Sequence, residues 1–203
     1  MFQARSPRLI LASASTARRA VLSAAGLAFD AHPAAIDEAA IKQAGQAQGA
    51  SPADVATLLA ELKAERIARH HPDALIIGCD QLLVCENTWF DKPTDRAGAA
   101  RHLQHLRGRT HELVTAIVCL RHGHRIWHHV ARPRLSMRNF SDSFLETYLA
   151  AEADHVTTSV GAYRLEGPGI HLFDRIEGEH AAILGIPLLP LLGFLRQHGV
   201  VLV

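Results

Sequence analysis

The chain carries almost no net charge: across 203 residues, 21 Lys and Arg stand against 20 Asp and Glu, for a formal +1. With no global basic field to hold a nucleic-acid backbone by counterion release, any anion site must be local, and nucleic acid is not an expected partner. Cysteine is scarce and odd in number. Cys79, Cys85 and Cys119 all fall in apolar, strand-like runs, which argues against a secreted disulfide framework and for buried thiols in a reducing compartment. No apolar run approaches the roughly 18 residues of a membrane span. Met1 to Pro7 reaches no apolar stretch of signal-peptide form before the pattern turns polar at Ser13. The expectation is a soluble, cytoplasmic protein without membrane contact. There is no internal repeat and no low-complexity linker, and the Gly-x-Ser-x-Gly elbow of many serine hydrolases does not occur.

What is present fits a globular chain, 48% hydrophobic and 20% charged, long enough for a single domain over 1–203 with a substantial core, or one domain with two lobes. Arg8 to Ala12 reads as a short buried strand. Ser15 is placed to cap a helix over Thr16 to Ala25, with Gly26 to stop it. Phe29 to Ile36 is extended, and Ala39 to Ala50 is a short helix and surface loop. Ser51-Pro52-Ala53-Asp54 opens a helix to about His70, with an apolar stripe of Val55, Leu58, Leu59 and Leu62. Ala74 to Cys85 carries the strongest strand signal, interrupted at Gly78-Cys79-Asp80-Gln81. A helix follows over Thr94 to Arg107. Leu113 to Arg121 and Arg125 to Arg134 form a hairpin around His122-Gly123. Ser141 to Ala153 is helical, Ile170 to Ile176 a strand, and Pro187 to His198 the last helix. Strands alternating with helices, plus a hairpin, predict a mixed sheet of the α/β or α+β kind.

Several groups of residues can carry chemistry. Ser13-Ala14-Ser15-Thr16-Ala17-Arg18-Arg19 sits at a strand-to-helix junction, where free N–H groups and the helix dipole favour an anion. Two hydroxyls and two guanidiniums add donors suited to phosphate oxygens. The same residues also describe a capped helix with solvated arginines, and the glycines of a Walker loop are absent. Asp80, just past Leu75-Ile76-Ile77-Gly78, reads as a carboxylate at the carboxyl end of a buried strand, either a ligand-facing group or a turn residue. Lys63 lies four residues from both Leu59 and Ile67, so it either snorkels to solvent or turns its ammonium into a cleft. Lys92 precedes a helix start, and Asp37-Glu38 follows an extended segment. Two lysines, two arginines and two carboxylates have the composition of a metal–phosphate site, in which cations neutralise charge while oxygens hold Mg²⁺ and orient a water. The 14 histidines, including His70-His71, His128-His129 and His102-x-x-His105, lack the partners of a zinc site.

Taken in order, these pieces resemble the Maf family. Leu9 to Ser15 with Arg18-Arg19, Ile36-Asp37-Glu38, Lys63, Ile77 to Gln81, Lys92-Pro93, Gly108-Arg109-Thr110-His111-Glu112 and Gly185-Ile186-Pro187-Leu188 match it from about residue 8 to 198. The resemblance implies an elongated mixed β-sheet flanked by helices around a central cleft, as in inosine triphosphatases. It implies a Mg²⁺- or Mn²⁺-dependent hydrolase cutting a nucleoside triphosphate into monophosphate and pyrophosphate, a house-cleaning role toward non-standard nucleotides, and a homodimer in many members. On this likeness Asp80 activates water, Glu38 and Asp80 support the metal, and Ser13, Ser15, Arg18, Arg19, Glu38, Lys63 and Lys92 serve the substrate. Ala17, Gln81 and Glu166 stand at positions that look diagnostic of base preference. Gln81 and Glu166, the latter within Tyr163-Arg164-Leu165-Glu166-Gly167-Pro168-Gly169-Ile170, resemble the group preferring 7-methyl-GTP, because a carboxylate can accept from the guanine edge. Ala17 departs from both the tryptophan of that group and the arginine of the dTTP/UTP type. Loss of a stacking ring removes roughly 1–3 kcal/mol, which leaves a dTTP/UTP-type or broad specificity as the alternative. Asp91 replaces a glycine that usually precedes the Lys-Pro pair. A non-catalytic regulator of septum formation is the rival of another class.

Overall fold

The computed structural model describes residues 2–202. From the N-terminus run β1 (Leu9–Leu11), α1 (Thr16–Ala24), β2 (Asp30–Ala31), α2 (Glu38–Ala47), α3 (Pro52–Ala68), β3 (Leu75–Cys85) and β4 (Thr88–Phe90). After them come α4 (Arg96–Leu106), β5 (Thr110–Arg121), β6 (His124–Ala131), β7 (Arg134–Met137), α5 (Asp142–Glu152), β8 (Phe173–Glu177), α6 (His180–Ile183) and α7 (Leu188–Gln197). Five helix starts are fixed by side chains accepting from the first turn: Ser15, Asp37, Ser51, Asp95 and Ser141. Each such cap contributes about 1 kcal/mol.

The chain divides into two compact units. The first comprises 1–81, 115–131 and 179–203, and the second 82–114 and 132–178. β3 and β5 pass from one to the other, at Gln81/Leu82 and at Val114/Thr115. In the first unit β1 lies between β2 and β3, parallel to both, with Leu9, Ile10 and Leu11 opposite Leu75, Ile76 and Ile77. The outer part of β5 pairs antiparallel with β6 through a turn in which His122 and Gly123 both take positive φ, 51° and 77°; two such residues form the hairpin turn whose twist matches the strands. Leu9, Leu11, Ile77, Cys79, Ile117 and Cys119 meet Leu22, Leu191 and Phe194 in a core on one sheet face. In the second unit β4 pairs with the end of β3, while β7 lies between the start of β5 and β8, all antiparallel. The result is a mixed α/β fold whose strands are flanked by helices, as the alternating pattern predicts.

Several details differ from the sequence reading, among them the following, each for a local reason. β3 runs unbroken through Gly78-Cys79-Asp80-Gln81, so Asp80 is not at a strand end. What ends there is its neighbour: pairing with β1 stops at Leu11↔Ile77. Gly78 lets the strand pass close under α3, since a Cβ there would lie 2.1 Å from the Ala60 carbonyl oxygen. In α3 the buried row is Val55, Ala56, Leu59, Ala60, Lys63, Ala64 and Ile67, and Leu58 is exposed. Ala60 and Ala64 lie against Gly78, and their small side chains allow that close approach. The run to Arg134 breaks at Arg132-Pro133, where proline cannot donate to a ladder, leaving β6 and β7 as separate strands. Likewise Pro168–Leu172 forms a tight helical turn and the strand begins only at Phe173.

Candidate active site

The loop between β1 and α1 commits its side-chain oxygens as acceptors. Ser13, 7% exposed, accepts from the Ser15 backbone N–H at 3.2 Å and from Arg18 Nη1 at 3.3 Å. Ser15 Oγ accepts from the Arg18 backbone N–H. Each hydroxyl therefore keeps its own proton for a further acceptor. Together with the first N–H groups of α1 they form a donor-lined cup suited to phosphate oxygens. Arg18 turns away from solvent: Nε donates to the Gly185 carbonyl at 3.0 Å and Nη1 to the Cys79 carbonyl at 3.0 Å. Its Nη2 takes no part in these bonds. Gly185 has φ +97°, and a Cβ there would sit 2.8 Å from Arg18 Nε, so both conformation and space require glycine.

Lys63 adopts the cleft orientation. Its side chain is 9% exposed, and Nζ lies 2.6 Å from Asp80 Oδ1 and 2.7 Å from Glu38 Oε1. Isolated, either buried charge would be untenable; paired, they persist. Burial pushes the Asp80 carboxyl above its ordinary range, opposed first by the Lys63 ammonium and then by Arg18. The carboxyl is thereby more basic than a solvated one, as suits a proton acceptor. Its second oxygen, Oδ2, is buried with no hydrogen-bond partner among the described residues. An orphaned carboxyl oxygen of this kind is a place for a ligand.

Alternation along β3 separates neighbours in sequence. Asp80 shares with Gly78 the face under α3, whereas Cys79 joins the core on the other face, and so does Gln81. Gln81 Nε2 is engaged there, donating to Thr115 Oγ1 at 2.7 Å and to the carbonyls of Ala182 and Ile183 at 3.1 Å. Of the other residues named above, Ala17 is half-buried in the first turn of α1, and Arg19 is exposed. Lys92 and Glu166 belong to the second unit, where both are exposed. The structure thus joins Ser13 and Ser15 with Arg18, and Glu38 and Lys63 with Asp80, and Arg18 links the two groups through the Cys79 carbonyl.

In the second unit two buried polar pairs escaped the sequence reading. Glu152, 1% exposed, accepts from Arg164 Nε at 2.9 Å and Nη2 at 3.2 Å. His111 Nε2 and the Tyr163 hydroxyl lie 2.7 Å apart, both buried. Burial holds His111 down at about 4, so it is neutral in ordinary conditions. Both pairs anchor the segment that carries Glu166. Glu152 ends an otherwise ordinary helix, and nothing in its spacing distinguishes it from a solvated acid.

Fold and site together define a mixed α/β protein equipped to hold an anion beside a buried, charge-paired carboxylate. The chain belongs to the Maf-like protein family, which it matches over residues 8–198. It is 60% identical, over 191 residues covering 94% of this chain and 97% of the other, to a nucleoside triphosphate pyrophosphatase of Granulibacter bethesdensis. It is 52% identical, over 195 residues covering 96% of this chain and 98% of the other, to a 7-methyl-GTP pyrophosphatase of Rhizobium meliloti. A nucleoside triphosphate pyrophosphatase of Rhodospirillum rubrum is 51% identical, with 97% of each chain covered.

Proposed function

We propose that this protein hydrolyses a nucleoside triphosphate to the monophosphate and pyrophosphate, with Asp80 as the group that takes a proton from the attacking water. The observation carrying this reading is the Asp80 carboxylate itself. Lys63 fixes one oxygen at 2.6 Å, while the other is buried and unpartnered. Water attacks phosphorus, the bond to the bridging oxygen breaks, and the proton leaves to Asp80 as the bridge oxygen departs with pyrophosphate or nucleotide. Ser13, Ser15 and the N-terminus of α1 position the polyphosphate, with Arg18 Nη2 and Lys63 as cations beside it. Arg19 and Lys92 are further phosphate ligands under the same reading, supported by likeness to the family.

A divalent cation, Mg²⁺ or Mn²⁺, belongs to this proposal. The hard oxygens of Asp80 and Glu38 suit it, and it would neutralise charge on the phosphates. Among the described residues no three His, Cys, Asp or Glu side chains cluster as a metal cage. Under this proposal the ion would be held by one or both of these two carboxylates and completed by phosphate and water.

For the base, 7-methyl-GTP is supported by the named activity of the Rhizobium meliloti relative and by Glu166 as an acceptor for a purine edge. The aromatic missing at Ala17 supports a broader or dTTP/UTP-type preference. Comparing kcat/KM for 7-methyl-GTP, GTP, UTP and dTTP decides between them, and a UTP preference overturns the first. A regulator that merely senses nucleotide would bind the panel and release no pyrophosphate. A homodimer and a cytoplasmic location remain with this proposal on family likeness. Sedimentation tests the dimer. No helix among the described residues is long and apolar enough to cross a membrane.

A further inference from the structure

We infer that Gln81, Thr115 and Arg18 form a frame tying the backbone on both sides of Asp80 to the turn at Ala182–Gly185, and that Gln81 serves the reaction as a positioning residue rather than as a nucleotide contact. The inference rests on the proposed hydrolysis for its kinetic arm alone.

The geometry is reciprocal. On the N-terminal side of Asp80, the Cys79 carbonyl accepts from Arg18 Nη1, and the same guanidinium donates from Nε to the Gly185 carbonyl. On the C-terminal side, Gln81 Nε2 donates to the carbonyls of Ala182 and Ile183. Thr115, wholly buried, closes the figure: its hydroxyl oxygen accepts from Gln81 Nε2 and its proton goes to the Ala182 carbonyl at 3.0 Å. The carbonyls of Ala182, Ile183 and Gly185 lie at and just beyond the end of the four-residue helix α6, where carbonyls lack full partnering from their own helix. Ala182 also accepts from the Gly185 N–H at 3.0 Å, and the frame adds side-chain donors to all three. Gln81 projects from the face of β3 opposite the Asp80 side chain, away from the water placed at Asp80, and acts by fixing the strand from which Asp80 projects; Arg18 alone of the three also faces the phosphate cup. Misplacement of a reacting group by about 1 Å costs on the order of a hundredfold in rate.

The test uses the full chain with Gln81→Met, which keeps length but removes the donor, and Thr115→Val, which keeps shape but removes the hydroxyl. Pyrophosphate release from 7-methyl-GTP, GTP and UTP is measured alongside amide hydrogen exchange. Both variants are expected to lose about ten- to a hundredfold in kcat on every nucleotide, with KM held within about threefold and the order of preference kept. Exchange at Leu184, Gly185 and Ile186 is expected to speed up by about tenfold or more while that of α3 and β1 stays as in the wild type. A tenfold rise in KM or a reordered preference in Gln81→Met places Gln81 on the nucleotide and overturns the inference. Unchanged exchange at the turn, or faster exchange throughout the chain, also overturns it. A wild type that releases no pyrophosphate refutes the proposed hydrolysis and leaves the exchange result to decide the frame.

Discussion

Asp80 and Lys63 are bound together so closely that each sets the other's role. Replacing Asp80 with Asn keeps the shape but removes the proton acceptor, so kcat should fall by about 10²–10⁴ while nucleotide affinity is kept. Unchanged kcat would exclude Asp80 as the base. Stability should respond in the opposite order. Asp80→Asn leaves Lys63 with Glu38 as its partner. Lys63→Met strands the Asp80 carboxylate in a buried site, at a cost of about 3–5 kcal/mol. Denaturant unfolding should find Lys63→Met much the weaker of the two; equal midpoints would mean the pair is not the buried contact described. His111 offers a pH test remote from this chemistry. Its ordinary value of 6.5 drops to about 4 in the folded chain, so between those values the unfolded state binds more protons. Stability is therefore undiminished above the upper value and is lost as pH falls through the window, by on the order of 3 kcal/mol. A His111→Gln variant lacks this loss. Its stability gap to the wild type should narrow from pH 7 to pH 4, and a constant gap would refute the assignment.

Among the elements, α3 approaches β3 closely at Gly78, and that approach places the lysine. A row of alanines on α3 and Gly78 on β3 let helix and strand meet with no side chain between them. Lys63, on the same row, then reaches Asp80 two residues further along the strand. Gly78→Ala would put a Cβ against the Ala60 carbonyl, and the backbone must move. We expect a loss of about 1–3 kcal/mol or more together with a drop in kcat, because the shift separates Lys63 from Asp80. A variant with wild-type kcat and midpoint would show that the helix is not held this close. The caps were open to sequence reasoning because they are local: Ser15 and Ser51 need only their own first turns. The frame around Gln81 was not, since its partners lie 34 residues away at Thr115 and 101 away at Ala182.

Across the full chain, β3 and β5 run through both compact units, so neither unit can unfold without disturbing a strand of the other. The three cysteines sample both: Cys79 and Cys119 in the first unit, Cys85 in the second, all buried and free. Burial pushes the Cys79 thiol up to about 11 and the other two upward as well, which suppresses the reactive thiolate. The native protein should leave an aromatic disulfide reagent unconsumed. On denaturation all three thiols should appear in one phase with the same midpoint. Cys85 reacting at lower denaturant than Cys79 and Cys119 would show that the second unit opens alone.

Most element types, the capping serines Ser15 and Ser51, the burial of the cysteines and the family were readable from the order of residues, because they depend on contacts within a few positions or on patterns matched along the chain. The position of Asp80 was readable as a candidate, but its surroundings were not. Once the strand is unbroken, alternation turns Gln81 to the opposite layer. That the strand continues past Asp80, and that Lys63 turns inward to it, follow from the partners further along β3 and from how closely α3 packs on it. Those are distances between segments remote in sequence. They are set by the fit of small against large side chains, which no periodicity records.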